Sequence, residues 1–96
     1  MRLIVLPSAR RDLANIWSDT ADRWGIEQAD SYLAAINARF GGITDFPSSY
    51  PEYHSKHGTF RKAASGEHLI FYVVGDGAVE VVRILHNRMD VGELLD

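Results

Sequence analysis

The sequence predicts an α+β domain of two layers, built from an N-terminal strand, an antiparallel helical hairpin and a C-terminal three-stranded antiparallel meander. Three observations carry this. Two long stretches, 8–24 and 26–43, place apolar residues at helical spacing. From 59 to 85 the apolar period shortens to two, broken at Ser65-Gly66 and at Gly75-Asp76-Gly77. Gly and Asp at such points supply the positive φ of tight hairpin turns. Finally, Gly25 alone separates the two helical stretches, so the helices must fold back on each other.

Taken in order, Arg2–Leu6 is a short β-rich run ended by Pro7. Ser8 is the expected N-cap of the first helix, its hydroxyl facing the free amides of the first turn. Leu13, Ile16, Trp17, Thr20, Ala21 and Trp24 then form one apolar stripe, with most charged residues off it. The second helix begins near Ile26, and Ala29, Tyr32, Leu33, Ile36, Phe40 and Ile43 continue the period. Gly41-Gly42 costs about 1 kcal/mol per glycine relative to alanine, so the helix stops there or frays through to Asp45. Residues 46–58, with two prolines and three serines, read as a loop. Strands follow over Thr59–Ala64, Glu67–Val74 and Ala78–Leu85. Residues 67–74 are apolar on both faces, which places that strand mid-sheet. The tail from Met89 to Asp96 makes one helical turn or lies extended. No repeat or low-complexity segment interrupts residues 1–96, which are read as one domain.

Composition narrows the chemistry. The absence of cysteine excludes disulfides, thiolate zinc sites and cysteine nucleophiles, and suits a reducing cytoplasm. No apolar run approaches the roughly 20 residues that span a bilayer. The opening MRLIVLPSARR carries too short an apolar stretch for a signal-peptide core. A formal charge of −3 argues against general affinity for nucleic-acid phosphates. A local basic cluster (His54, Lys56, His57, Arg61, Lys62) reads first as a solvated edge protected by charge. No metal site is expected, since His54 and His57 have no evident third ligand. No nucleophile elbow, phosphate loop or zinc-protease motif is present, so no catalytic residue is assigned and no cofactor is expected. Arg83 stands inside an apolar strand and must find a carboxylate or the sheet edge; Glu67, Glu80 and Asp90 are the candidates. Arg61, one strand away, would join Arg83 on a single anion-binding face.

Four segments carry a family resemblance: SARRDLANIW after the opening strand, RWGIEQADSYL at the helix junction, FRKAASGEHLIFYVV, and VRILHNRMD near the end. In this order and spacing the chain resembles the RelE/ParE superfamily of bacterial type II toxins. Arg-Trp-Gly combined with Arg-Ile-Leu-His-x-Arg-Met-Asp places it nearer the ParE branch. The resemblance implies a RelE/ParE-like fold and the toxin of a plasmid-type or chromosomal addiction pair. Such a toxin would bind and inhibit DNA gyrase without a turnover reaction. A ParD-like antitoxin would neutralise it in a hetero-oligomer, wrapping a segment that folds on binding around the helical hairpin and sheet. Arg61, Arg83, His86, Arg88 and Met89 are the expected target-binding residues; Leu13, Trp17, Trp24, Tyr32 and Ile36 are the expected antitoxin contacts.

Two rival readings stand beside it. One is a RelE-like ribosome-dependent messenger-RNA endonuclease, with His86 where some relatives carry a catalytic histidine. Against it, Leu69 stands where those relatives have an arginine, and no tyrosine follows Leu85. The other is a non-toxic interaction module of an autorepressing complex. Sequence-specific DNA binding by this chain itself is not expected, since no recognition helix is apparent.

Overall fold

The computed structural model describes residues 1–95, with Glu93 described by its backbone alone; Asp96, the last residue of the expected tail, lies outside the described residues. Strand β1 (Arg2–Val5) leads into helix α1 (Pro7–Trp24) and helix α2 (Ile26–Asp45). Strands β2 (Glu52–Ser55), β3 (Gly58–Ser65), β4 (His68–Gly75) and β5 (Ala78–His86) follow, and a short helix α3 (Val91–Leu95) ends the chain. The sheet order is β1-β5-β4-β3-β2, with β1 parallel to β5 and every other pair antiparallel. The two-layer α+β architecture of the sequence reading is therefore the observed one.

The start of α1 differs from expectation. The cap residue is Leu6, with extended dihedrals and no side-chain cap bond, and Pro7 occupies the first turn. Proline's fixed φ is already helical and its missing N–H would have been unbonded there. Ser8 is thus not the N-cap. Its hydroxyl instead donates to the Val82 carbonyl on β5 at 2.7 Å.

Gly25 is the hinge of the hairpin. Its N–H donates to Ala21 O at 2.9 Å and its carbonyl accepts from Ala29 N–H at 3.1 Å, so one residue closes α1 and opens α2. It does so at φ 93° and ψ 166°, a combination open essentially to glycine alone. Helix α2 then runs through Gly41-Gly42 to Asp45. A Cβ on Gly42 would lie 2.9 Å from the Tyr50 hydroxyl, so glycine there admits Tyr50 against the helix.

The segment 46–58 is not wholly a loop. Glu52–Ser55 form an edge strand paired with β3, extending the expected three-stranded meander to four strands. Lys56-His57 make its two-residue turn, where the Ser55 hydroxyl accepts from His57 N–H and donates to Gly58 O, both at 3.1 Å. Tyr53 and Ser55 are half-buried while Glu52 and His54 are exposed, so the strand alternates as an edge strand should.

The core lies between the hairpin and one face of the sheet. Ile16, Ile36, Phe40 and Ile43 pack on Ile70, Tyr72, Val79, Val81 and Ile84. Phe71 and Leu85 are buried on the other face, where Tyr53 meets Phe71 edge-on at 5.5 Å. Strand β4 is covered on both sides, as its two-faced apolar pattern predicts.

Candidate functional site

The site begins with a mismatch of strand lengths. Strand β1 pairs with β5 only as far as Val5↔Val81, so residues 82–86 of β5, paired with β4 on one side, have no strand on the other. The N-terminal half of α1 satisfies that edge instead. Leu6 N–H donates to Val81 O at 3.0 Å, and Ser8 holds the Val82 carbonyl. Asp12 Oδ2 accepts from Ile84 N–H at 2.9 Å and from Arg83 Nε at 2.8 Å, while Oδ1 accepts from Arg83 Nη2 at 2.9 Å. The carboxylate that Arg83 requires is therefore Asp12, and not Glu67, Glu80 or Asp90. The hydrogen bonds it donates to Asp12 push the Arg83 guanidinium further above its already high range, against the opposing effect of burial.

Beyond Asp12, α1 diverges from the sheet and leaves a groove of about 740 Å³. Asn15, Asp19, Arg23 and Trp24 form its helical wall; His68, His86 and Glu67 line the sheet side; Met89 and Leu94 close one end. His68 and His86 are directly opposed across β4 and β5, their rings edge-to-face at 5.3 Å. Tyr32 reaches in from α2 and places its hydroxyl 2.5 Å from His68 Nδ1, where it also accepts from Glu67 N–H at 3.0 Å. Gly66 makes this approach possible, since a Cβ there would stand 2.7 Å from the Tyr32 oxygen.

Hydrogen-bond inventory assigns the His86 tautomer. Arg88 N–H donates to His86 Nδ1 at 3.1 Å, so that nitrogen must be the acceptor and Nε2 carries the proton, directed at Glu67 Oε2 3.4 Å away. The one proton of the Tyr32 hydroxyl has two acceptors in reach, His68 Nδ1 and Ser65 O at 3.4 Å; donated to His68, it leaves that ring neutral with its proton on Nε2. Burial holds His68 below its ordinary value of 6.5, and the neighbouring His86 adds to this; Glu67 and Asp12 pull the other way. Burial also pushes the Tyr32 hydroxyl above 10.0, opposed by its bond from the Glu67 amide.

A family model described as the ParE toxin of the type II toxin–antitoxin system parDE matches residues 3–91, from β1 to the first residue of α3. The chain belongs to the ParE toxin family. It is 41% identical over 100 residues to Toxin ParE1 of Mycobacterium tuberculosis (strain CDC 1551 / Oshkosh), an alignment covering 94% of this chain and 93% of that one. It is 37% identical over 82 residues to Toxin ParE1 of Caulobacter vibrioides, covering 85% and 84%. A solved structure described as the chromosomal ParDE TA system from P. aeruginosa shares the fold, with a TM-score of 0.78 at 17% identity, over 90% of this chain and 95% of that one.

Within this ParE fold the expected target-binding residues separate into two places. Arg83, His86 and Met89 line the groove, and Arg88 stands exposed on the turn between His86 and Met89. Arg61 is elsewhere. It pairs with Tyr72 while Arg83 pairs with Phe71, so the two arginines project from opposite faces of the sheet. Arg61 Nη1 donates to the Tyr50 carbonyl at 2.7 Å, and the shared anion-binding face does not form.

The expected antitoxin contacts divide similarly. Trp24 is 73% exposed at the hairpin tip and, with Tyr32, lines the groove. Trp17 is half-buried and its Nε1–H donates to Asp30 Oδ1 at 2.9 Å, linking the two helices. Leu13 packs partly buried against the core, whereas Ile36 is 1% exposed and offers no surface to a partner. The sequence reading did not assign Asp12, Asp19, Arg23, His68 or Leu94 to the site. Asp12 carried one available signal, a carboxylate on the first helix beside an unpaired strand edge, but the crossing of α1 over β5 is not written in any local pattern.

Proposed function

We propose that this ParE toxin acts by binding DNA gyrase and blocking supercoiling, and that a ParD-like antitoxin neutralises it. The observation carrying this reading is the family match over residues 3–91, which takes in the groove and the turn that follows β5. The site chemistry supports binding over turnover. Cleaving RNA needs a free cation for the phosphate and an imidazole with an available nitrogen. Here Arg83 is committed to Asp12 through both ends of its fork, and His86 uses both nitrogens internally. The exposed apolar side chains of Trp24, Met89 and Leu94 along the groove suit a protein partner better. Arg88 and Met89 on the exposed turn are the target contacts, with His86 holding that turn in place and Arg83 bracing the strand end before it.

The antitoxin reading rests on the apolar surface at the same end of the molecule. Trp24, Ile26, Met89 and Leu94 are exposed there, and a segment folding on binding would cover them. Residues 1–96 act as one domain in this reading, working in the cytoplasm where gyrase meets the chromosome. No helix is long and apolar enough to cross a membrane among the described residues.

The deciding assay combines purified gyrase, ATP and relaxed plasmid with the toxin, first alone and then with its antitoxin. Loss of supercoiling or accumulation of cleaved DNA, reversed by antitoxin, is the expected result. An unaffected gyrase at toxin excess defeats the proposal, and cleavage of ribosome-bound messenger would then establish the nuclease reading. Arg88→Ala is expected to reduce growth inhibition in cells while leaving fold and antitoxin binding intact, and Met89→Ala to reduce growth inhibition and weaken antitoxin binding with the fold intact. Full toxicity of the double variant would remove the turn from the target interface.

A further inference from the structure

The turn after β5 is tied down by three backbone N–H groups. Asn87 N–H donates to Glu67 O at 2.9 Å, Arg88 N–H to His86 Nδ1 at 3.1 Å, and Met89 N–H to His86 O at 3.0 Å. Two of these acceptors are carbonyls and insensitive to pH. The third is an imidazole nitrogen, which accepts only while the ring is neutral. In the imidazolium both nitrogens are donors, so no rotation of the ring restores an acceptor to Arg88 N–H.

The neighbouring histidine behaves differently. If His68 takes a proton on Nδ1, the Tyr32 hydroxyl accepts from it and from Glu67 N–H, and turns its own proton to Ser65 O, 3.4 Å away. No bond is lost. Among these backbone ties the protonation-sensitive one is therefore that at His86, which joins the sheet to the chain that follows.

We propose that residues 87–95 form a proton-sensitive flap on the groove, held closed in part by neutral His86 and loosened when its imidazole is charged. Loosening begins at Arg88, between the pH-insensitive ties of Asn87 and Met89, and Asn87 is the hinge on which the flap opens. The flap carries Met89 and Leu94, which close one end of the groove, so its departure opens that end and frees apolar surface. On its other side α3 lies against Tyr53, whose hydroxyl stands 3.6 Å from where a Cβ on Gly92 would be.

The charged and titratable groups around His86 come from every neighbouring element. Glu67 and His68 face it from the β4 side and the Arg88 N–H from the flap itself, while Tyr32 of α2 and Arg83 of β5 line the same groove. Asp12, Asp19 and Arg23 of α1 line the same groove.

The test is amide hydrogen exchange on the full-length toxin at about pH 7.5 and about pH 5, normalised for intrinsic exchange, a range that brackets histidine titration. The wild type is expected to lose about tenfold of its protection at residues 88–95 on acidification, while β4 and β5 amides keep theirs. His86→Asn places an untitratable oxygen where Nδ1 stood, and its flap should stay protected at both pH values. His86→Ala removes the acceptor and should leave the flap unprotected at both. Unchanged wild-type protection across pH overturns the proposal, as does an equal pH response in His86→Asn. A loss shared equally by β4 and β5 would mean general opening and also overturns it.

Discussion

Asp12 does the work of a missing strand. Its two oxygens accept three hydrogen bonds from Arg83 and Ile84, at a position only 12% exposed, on a stretch of β5 that β1 fails to reach. Removing the carboxylate leaves a part-buried guanidinium and a strand amide without their acceptor. Asp12→Ala is therefore expected to cost about 2–4 kcal/mol in urea denaturation. Arg83→Ala should cost less, since the remaining carboxylate keeps Ile84 N–H and is itself small and partly hydrated. The double variant should fall short of the sum by about 1–3 kcal/mol. Simple additivity in that cycle would mean the pair is a surface ion pair of little consequence. The same pairing changes how an Arg83 variant is read, because lost toxicity there reports a disturbed strand end as well as any lost target contact.

At the scale of elements, the helical hairpin depends on Gly25 and the end of the sheet depends on α1. Gly25 has open space around it, so the demand for glycine there is conformational and not steric. Gly25→Ala should destabilise the fold by about 1–3 kcal/mol, measured as a lowered urea midpoint at unchanged slope. An alanine variant of wild-type stability would show that the joint relaxes to another geometry at no cost. The elements also mark where sequence patterns were and were not legible. Helices α1 and α2 and strands β4 and β5 carry long apolar periods, and these were read at nearly their observed bounds. Strand β2 was missed because its four residues, Glu-Tyr-His-Ser, follow a proline and bury only one large side chain. An edge strand this short is defined by its partner β3, and its own composition says little. Ser8 was misread for a related reason: its hydroxyl has two possible backbone partners, and only the position of β5 decides between them.

Across the whole molecule, the two histidines join the helical layer to the sheet. His68 is half-buried and held below 6.5, by burial first and by His86 second. Because the folded value is depressed, the unfolded chain binds the proton more readily. The contribution to stability is thus fully present above about pH 6.5 and is lost as pH falls through that value toward the folded one. The urea midpoint of the wild type should decline over this interval, and His68→Gln should decline less. Identical profiles for the two proteins would assign the acid sensitivity to other groups. This prediction concerns global stability, whereas the flap at His86 opens locally with the core intact, and exchange at β4 and β5 separates the two.

What the sequence determined by itself was everything written in local periodicity and local turn chemistry: the α+β class, the hairpin at Gly25, the meander turns at Gly66 and Gly77, and the covering of β4 on both faces. The four family segments, each local as well, were enough to point to ParE. Tertiary structure alone decided which distant groups meet. It paired Arg83 with Asp12, 71 positions away, placed Tyr32 beneath His68, set the two histidines opposite each other, and sent Arg61 to the other face of the sheet. The reason is physical. A period of two or of 3.6 records which side of an element is buried, but a partnership across layers depends on register and crossing angle, which no single element encodes.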